Sequence, residues 1–249
     1  MLGSLSNAEF NASALRLCRE AYQLIDFVNH KGSHPALGAV DHVCFSPLVS
    51  NDETLNTVGD VANKFATSLA DNEKIPVFTY GHANSILLPK LRDIRRSLGY
   101  FEPVESDTLG PSIVKIMRQC LSQVTPTYGT DYINDRSLDS KGTMCVGCVP
   151  MILNYNMRFR QCDSKNLVMQ VTRYVREVGL GVEALTLQHS EGSYEVACNL
   201  TQTEKCGPDQ VLASAMEKAA TLGIEVESSY TTGPTIEQLQ QIYIDTVRE

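Results

Sequence analysis

Apolar and polar positions alternate along the chain in two periods, one typical of helices and one typical of strands. In residues 7–28 apolar side chains recur every three or four positions, which predicts an amphipathic helix. Similar spacing or helix-capping residues predict further helices near 52–71, 88–98, 112–121, 163–177, 208–222 and at the C-terminus. Apolar runs between them predict strands near 40–45, 75–80, 144–157, 182–189, 193–201 and 224–230.

The order of these elements predicts an α+β protein with two subdomains. From residue 143 onward the order is β-α-β-β-α-β, which is typical of a ferredoxin-like α/β sandwich. The first half supplies helix, strand, helix and strand, with no strand before Asn7. We therefore expect two ferredoxin-like subdomains, the first of them N-terminally truncated. The predicted boundaries are 1–105 and 143–249, with residues 106–142 as a linker because Gly, Pro, Ser, Thr and Asp are dense there.

The composition limits the kinds of molecule that the protein is expected to bind. The 249 residues carry a formal net charge of -8, and binding to nucleic acid generally needs a basic surface. No apolar stretch approaches the roughly 18 residues of a membrane span, and the first residues lack the pattern of a secretory signal. We expect a cytoplasmic protein that binds neither nucleic acid nor a membrane.

Eight cysteines are scattered along the chain, and without a secretory signal they are expected to be reduced. Cys145 and Cys148 have the spacing of a redox or metal-ligand pair. On a strand, residues three apart point to opposite faces, and no second close Cys or His pair completes a zinc site. A buried structural role is therefore favoured, and we expect no bound metal.

Three of the five histidines lie in the short stretch 29–45, which also contains glycine and proline. His34 precedes Pro35, and a residue before proline is restricted to extended conformations. An imidazole held in this way could accept and return a proton near neutral pH. The alternatives are that the histidines are placed there by accident, or that His30 and His34 bind a metal. The metal pair is disfavoured because Gly32 and Pro35 break the helix that its spacing needs.

The same stretch, "HKGSHPALGAVDHVCFSPL", resembles the signature loop of the formiminotransferase family, including its plant-type single-unit relatives. Further stretches resemble that family in the same order along nearly the whole chain: "IPVFTYG", "LRDIRRSLGYFEP", "GPS" at 110–112, "KGTMCVG", "NYN" at 154–156 and "VEALTLQHSEGSYEVACNL".

The resemblance implies transfer of a formimino group from N-formiminoglutamate to tetrahydrofolate, the co-substrate, which is held between two packed α/β subdomains. It implies that His34 is the catalytic acid and base. The folate contacts that it implies are Gly110, Pro111, Ser112, Lys141, Gly142 and Asn156. Considered without the resemblance, Gly-Pro-Ser is a turn and Lys141 is a surface lysine. The expected partners are these two small molecules, and a homodimer is one option for the oligomeric state.

Two departures from the family pattern suggest an alternative function. The family pattern starts with a strand and a helix upstream of residue 1, and Val149-Pro150 stands where relatives have a basic pair or Thr-Arg. Three arginines on one predicted helix face could replace that charge or could be a solvated surface: Arg92, Arg95 and Arg96. The alternative function is a non-catalytic folate-binding or protein-interaction module that lost activity with the N-terminal segment.

Overall fold

The structure is a computed structural model that describes residues 7–30, 36–102, 109–160, 162, 164–190 and 193–248. The chain divides into two compact units, one ending at Pro150 and the other starting at Met151. Each unit has its own sheet. Together they confirm the predicted α+β class with two subdomains.

The first unit contains five described helices: α1 (Asn7–Leu24), α2 (Asp52–Glu73), α3 (Leu91–Ser97), α4 (Leu109–Leu121) and α5 (Ser137–Lys141). Its three described strands are β1 (His42–Phe45), β2 (Val77–Gly81) and β3 (Met144–Cys148). Helix α2 begins where its capping residues predict, because the Asn51 side chain accepts the Thr54 N–H and the Thr54 hydroxyl accepts the Asn51 N–H.

The first sheet has the order β1-β3-β2, and β3 is parallel to both neighbours. Apolar side chains pack on both of its faces. On one face, Met144 of β3 packs with Phe65 and Leu69 of α2 and with residues of α1. On the other face, Phe78 of β2 packs with Met117 of α4 and with Leu138 of α5. A parallel sheet that is covered on both sides explains why β3 is fully buried along its length.

The second unit contains β4 (Leu153–Arg160), α6 (Lys165–Val178), β5 (Val182–Ser190), β6 (Ser193–Leu200), α7 (Pro208–Thr221), β7 (Ser228–Thr231) and α8 (Ile236–Arg248). Its sheet has the order β5-β6-β4-β7, and every neighbouring pair is antiparallel. The core includes Met157 and Phe159 of β4 together with Val168, Val171 and Ala215 of helices α6 and α7. This unit has the predicted ferredoxin-like pattern.

Two parts of the predicted organisation change. The predicted strand 144–157 is two strands, because β3 joins the first sheet and β4 joins the second. The described part of the predicted linker 106–142 belongs to the first unit, since Met117, Leu121 and Leu138 are buried in its core. The predicted boundary after residue 142 therefore moves to Pro150. In addition, the three described strands of the first unit are parallel, whereas neighbouring strands of a ferredoxin-like sheet are antiparallel.

Candidate functional site

Two chain segments that the family resemblance singles out meet in the first unit. Residues 37–39, which follow the His34 loop, run antiparallel to residues 141–143, and Gly38 pairs with Gly142. The Ala39 N–H donates to Lys141 O at 2.9 Å, and the Thr143 N–H donates to Leu37 O at 2.9 Å. We call these six residues the Gly38–Gly142 bridge. The fold thus brings together segments that lie about one hundred residues apart in the sequence.

Glycine is required on both sides of the Gly38–Gly142 bridge. Gly142 has a φ of 74°, a conformation that side chains disfavour, and a Cβ there would collide with Leu37 O and the Gly38 Cα. A Cβ on Gly38 would lie 2.5 Å from Lys141 O. The close backbone approach explains the two glycines without any appeal to a ligand.

Asp41 anchors the bridge segment 37–39 to helix α3. Its carboxylate accepts the Leu37 N–H at 2.8 Å and an N–H of the Arg95 guanidinium. That guanidinium also donates to His42 Nδ1 at 3.2 Å and lies 4.6 Å from the centre of the Tyr100 ring. Burial alone would raise the pKa of Asp41, but the His42, Arg95 and Leu37 contacts together hold it below its ordinary value.

Lys141 anchors the other side of the bridge to helix α2. Its ammonium lies 2.7 Å from the carboxylate of buried Glu73 and donates to Glu73 O at 3.1 Å. The same carboxylate is 3.5 Å from Arg19 Nε of α1. The Lys141 ammonium is thus paired with a carboxylate of the protein and is not an isolated surface lysine. Its contact with folate stays a prediction.

The remaining predicted folate contacts lie in two different units. Gly110, Pro111 and Ser112 are in the first turn of α4 and do not form an isolated turn. The N–H groups at a helix start have no intrahelical acceptor and favour anions. Asn156 lies on β4 of the second unit, where its amide donates to Glu195 Oε2 at 3.2 Å and its backbone is paired with Ala197 and Tyr230.

The three predicted arginines of α3 have separate roles. Arg95 binds Asp41, whereas Arg92 and Arg96 are exposed and lie 3.6 and 3.5 Å from Asp93. The structure therefore supports a solvated surface for two of them and an internal partner for the third.

His34 lies outside the described residues, so its predicted role as acid and base stays a prediction. His30 follows the 3₁₀ turn Phe27–Asn29, and its ring stacks on Phe27 at 5.6 Å. His42 starts β1 beside Arg95.

Cys145 and Cys148 are buried on opposite faces of β3, as predicted, because they belong to different core clusters. Burial raises the pKa of each thiol to about 12. Within the described residues, no group of three or more His, Cys, Asp or Glu side chains is arranged to hold a metal ion. Nor does any described helix have the length and apolarity to cross a membrane.

Sequence reasoning missed Asp41 and Glu73. Glu73 follows Leu69 and Ala70 at helical spacing, on a face of α2 that is otherwise buried. A carboxylate on an apolar helix face indicates a buried partner and could have been noticed. Asp41 lies four residues after Leu37, a spacing that suits a side-chain cap on a turn.

Comparison with protein families gives one match that covers more than half of the chain. The family described as "Formiminotransferase domain, N-terminal subdomain" matches residues 3–149. This range agrees with the first structural unit, which ends at Pro150.

Three curated proteins illustrate the range of similarity. The "Formiminotransferase cyclodeaminase-like protein" of Arabidopsis thaliana is 31% identical over 245 residues, which is 97% of this chain and 77% of that protein. The "Formimidoyltransferase-cyclodeaminase" of Sus scrofa is 26% identical over 88% of this chain, which spans only 39% of the pig protein. The "Glutamate formimidoyltransferase" of Streptococcus pyogenes serotype M1 is 22% identical over 89% of this chain and 69% of its own length.

Proposed function

The chain belongs to the formiminotransferase family, and from this premise we propose that it transfers a formimino group from N-formiminoglutamate to tetrahydrofolate without a metal. The observation that carries the proposal is the Gly38–Gly142 bridge. It holds the segment that follows His34 against the segment that contains Lys141 and Gly142. Both segments were assigned to the reaction on grounds independent of this contact.

The chemistry needs one group that handles protons. As a folate nitrogen forms its bond to the imine carbon, that nitrogen loses a proton, and as the bond from this carbon to the glutamate nitrogen breaks, the departing nitrogen gains one. In the proposal the His34 imidazole accepts the first proton and returns it to the leaving nitrogen. Reduced folate is a co-substrate that is consumed, and no step requires a further oxidant or reductant.

The folate contacts in the proposal are backbone groups and one amide. The N–H groups at the start of α4 suit carboxylate oxygens of folate because a helix start favours anions. Gly142 is a backbone contact in the proposal because it adjoins Lys141 in the Gly38–Gly142 bridge, although its lack of a side chain is already explained by the close approach of Leu37 and Gly38. Asn156 belongs to the second unit, where its amide donates to Glu195, and its contact with folate stays a separate prediction.

One observation favours the alternative of a non-catalytic folate-binding or protein-interaction module. Four cations were predicted for substrate carboxylates, and two of them, Lys141 and Arg95, are engaged by buried or half-buried carboxylates of the protein itself. The other two, Arg92 and Arg96, are exposed and lie beside Asp93. A pocket for a dicarboxylate substrate usually needs cations of its own.

The experiment that tests the proposal mixes the purified protein with both substrates and follows the formation of formimino-folate. We expect His34→Ala to lower turnover by roughly 10²- to 10⁴-fold, the usual range for loss of an acid-base group, with little change in folate affinity. His30→Ala and His42→Ala are the controls and should lose less. The pH profile should show an inflection that His34→Ala removes.

The outcomes separate the two functions. Tight binding of reduced folate without turnover would support the non-catalytic module. An active protein in which His34→Ala keeps its rate would show that the acid-base assignment is wrong, and a protein that neither binds folate nor turns over would contradict the proposal.

A further inference from the structure

Glu73 is a buried carboxylate with no part in the proposed proton transfers. It closes helix α2, and it is only 6% exposed. Removing a charge from water costs several kcal/mol unless partners compensate. The compensation comes from outside α2, namely the Lys141 ammonium at 2.7 Å and Arg19 Nε at 3.5 Å.

The surroundings of Glu73 confirm that this charge lies in an apolar setting. Cys18 and Tyr22 of α1 face it, and both are buried. Burial, aided by the negative charge of Glu73, raises the pKa of the Cys18 thiol to about 11. The Lys141 ammonium also lies 5.4 Å from the centre of the Tyr22 ring. A lysine in these surroundings has little freedom to leave its carboxylate for a substrate.

Lys141 is held at both of its ends. Its side chain is bound to Glu73 and to the last carbonyl of α2, whereas its own carbonyl accepts the Ala39 N–H at 2.9 Å. The two neighbouring contacts of the Gly38–Gly142 bridge follow in register, because Gly142 pairs with Gly38 and Thr143 donates to Leu37 O. The residue that is anchored to α2 by its side chain is thus the same residue whose carbonyl begins the pairing of 141–143 with 37–39.

We propose that Glu73 is a positioning residue, which holds Lys141 and thereby sets the register of the Gly38–Gly142 bridge directly after the His34-Pro35 pair. The inference rests on the proposed function in giving that register a catalytic purpose. It assigns the Lys141 side chain to this anchor and not to the carboxylates of folate. Asp41 and Arg95 support the same segment from its other end.

The test compares Glu73→Gln with Asp71→Asn, which removes the same charge from an exposed position two residues earlier on α2. Backbone hydrogen exchange is measured at Ala39 and Thr143, the two N–H donors of the bridge, and at Val146 of β3 as an internal reference. Glu73→Gln should speed exchange at Ala39 and Thr143 by roughly ten-fold relative to Val146, because the bridge opens locally when its anchor is weakened. Asp71→Asn should leave all three unchanged.

Unchanged relative exchange at Ala39 and Thr143 in Glu73→Gln would overturn the inference whether or not the protein is active. If Glu73→Gln does not fold, Glu73→Asp is measured in its place, because aspartate keeps the charge but is one methylene shorter. Exchange at Ala39 and Thr143 as slow as in the parent would then overturn the inference. This measurement does not depend on turnover, so it distinguishes failure of the inference from failure of the proposed function.

The kinetic part of the test uses the active parent. A positioning role predicts that Glu73→Gln lowers kcat by roughly ten-fold with a nearly unchanged KM for tetrahydrofolate, and that Glu73→Asp recovers part of the loss. A large rise in KM with constant kcat would instead indicate that Lys141 binds folate, and it would overturn the assignment of Lys141 to the anchor.

Discussion

Among the described residues, each unit buries one glutamate, and the two units stabilise it in different ways. Glu73 in the first unit is 6% exposed and Glu195 in the second is 5% exposed. The partner of Glu73 is Lys141, 68 residues further along the chain, so the ion pair ties the end of a helix to a distant segment. Glu195 receives the Asn156 amide at 3.2 Å and the Tyr230 hydroxyl at 2.7 Å from strands of its own sheet.

The difference follows from the two sheet types. In the antiparallel sheet, cross-strand neighbours are fixed by register, and Arg158 stands directly opposite Glu195. In the first unit both faces of the sheet are apolar, so the carboxylate of Glu73 at the end of α2 is paired with cations from other helices, Lys141 of α5 and Arg19 of α1. Glu73 therefore stabilises a contact between distant segments, whereas Glu195 links neighbouring strands on one face of its sheet.

We expect Lys141→Met to cause the greatest loss of stability. This change leaves the buried carboxylate of Glu73 without its ammonium, and we expect the free energy of unfolding to fall by about 3 kcal/mol. Urea denaturation measures it. Lys64→Met, at an exposed position of α2, the helix that carries Glu73, is the control and should stay within about 0.5 kcal/mol of the parent. Equal losses in both variants would mean that the ion pair contributes nothing specific.

A smaller loss is expected from a change in the backbone of the Gly38–Gly142 bridge. Gly142→Ala should lower the free energy of unfolding by about 2 kcal/mol, because it combines an unfavourable positive φ with a collision against residues 37 and 38. Gly223 has a similar φ of 68° but nothing within 4 Å of an added Cβ. Gly223→Ala should therefore cost only about 1 kcal/mol, and equal costs in thermal or urea unfolding would contradict the close contact.

The smallest effect is expected in the second unit. Glu195→Ala leaves the Asn156 amide and the Tyr230 hydroxyl without this acceptor, and we expect a loss of about 1 to 2 kcal/mol. Glu195→Gln keeps one carbonyl oxygen and should lose less. The hydrogen bond to Glu195 raises the pKa of Tyr230 above its ordinary value, so Glu195→Ala should lower that pKa in an ultraviolet titration. An unchanged Tyr230 titration would show that the bond is not formed in solution.

Strand patterns explain why the second unit was predictable and the first was less so. Residues of β4 alternate between the core and the polar face, with Tyr155, Met157 and Phe159 inside. Alternation of this kind can be recognised in a sequence. The residues of β3 are all buried, so their apolar run merges with the start of β4, and a single strand was predicted across a unit boundary.

The candidate site, too, could be predicted only in part from the sequence. The His-Pro loop and the Lys141-Gly142 pair were identified from their sequence motifs, and the structure brings the second beside the residues that follow the first. The roles of Asp41, Glu73 and Arg95 were not predicted, because each depends on a partner dozens of residues away. A buried ion pair leaves no local periodicity by which a sequence could reveal it.

The family, the α+β class and most helix positions could be predicted from the sequence alone, because these depend on local spacing, capping residues and motifs a few residues long. The ferredoxin-like order of the second unit could also be predicted, since core-facing and polar residues alternate along a strand such as β4. Three features became visible only in the folded chain: β3 inserts between β1 and β2, the described part of the predicted linker packs into the first core, and Lys141 binds Glu73. These outcomes depend on which distant segments meet, and packing of both faces of a parallel sheet is a property of the assembled chain.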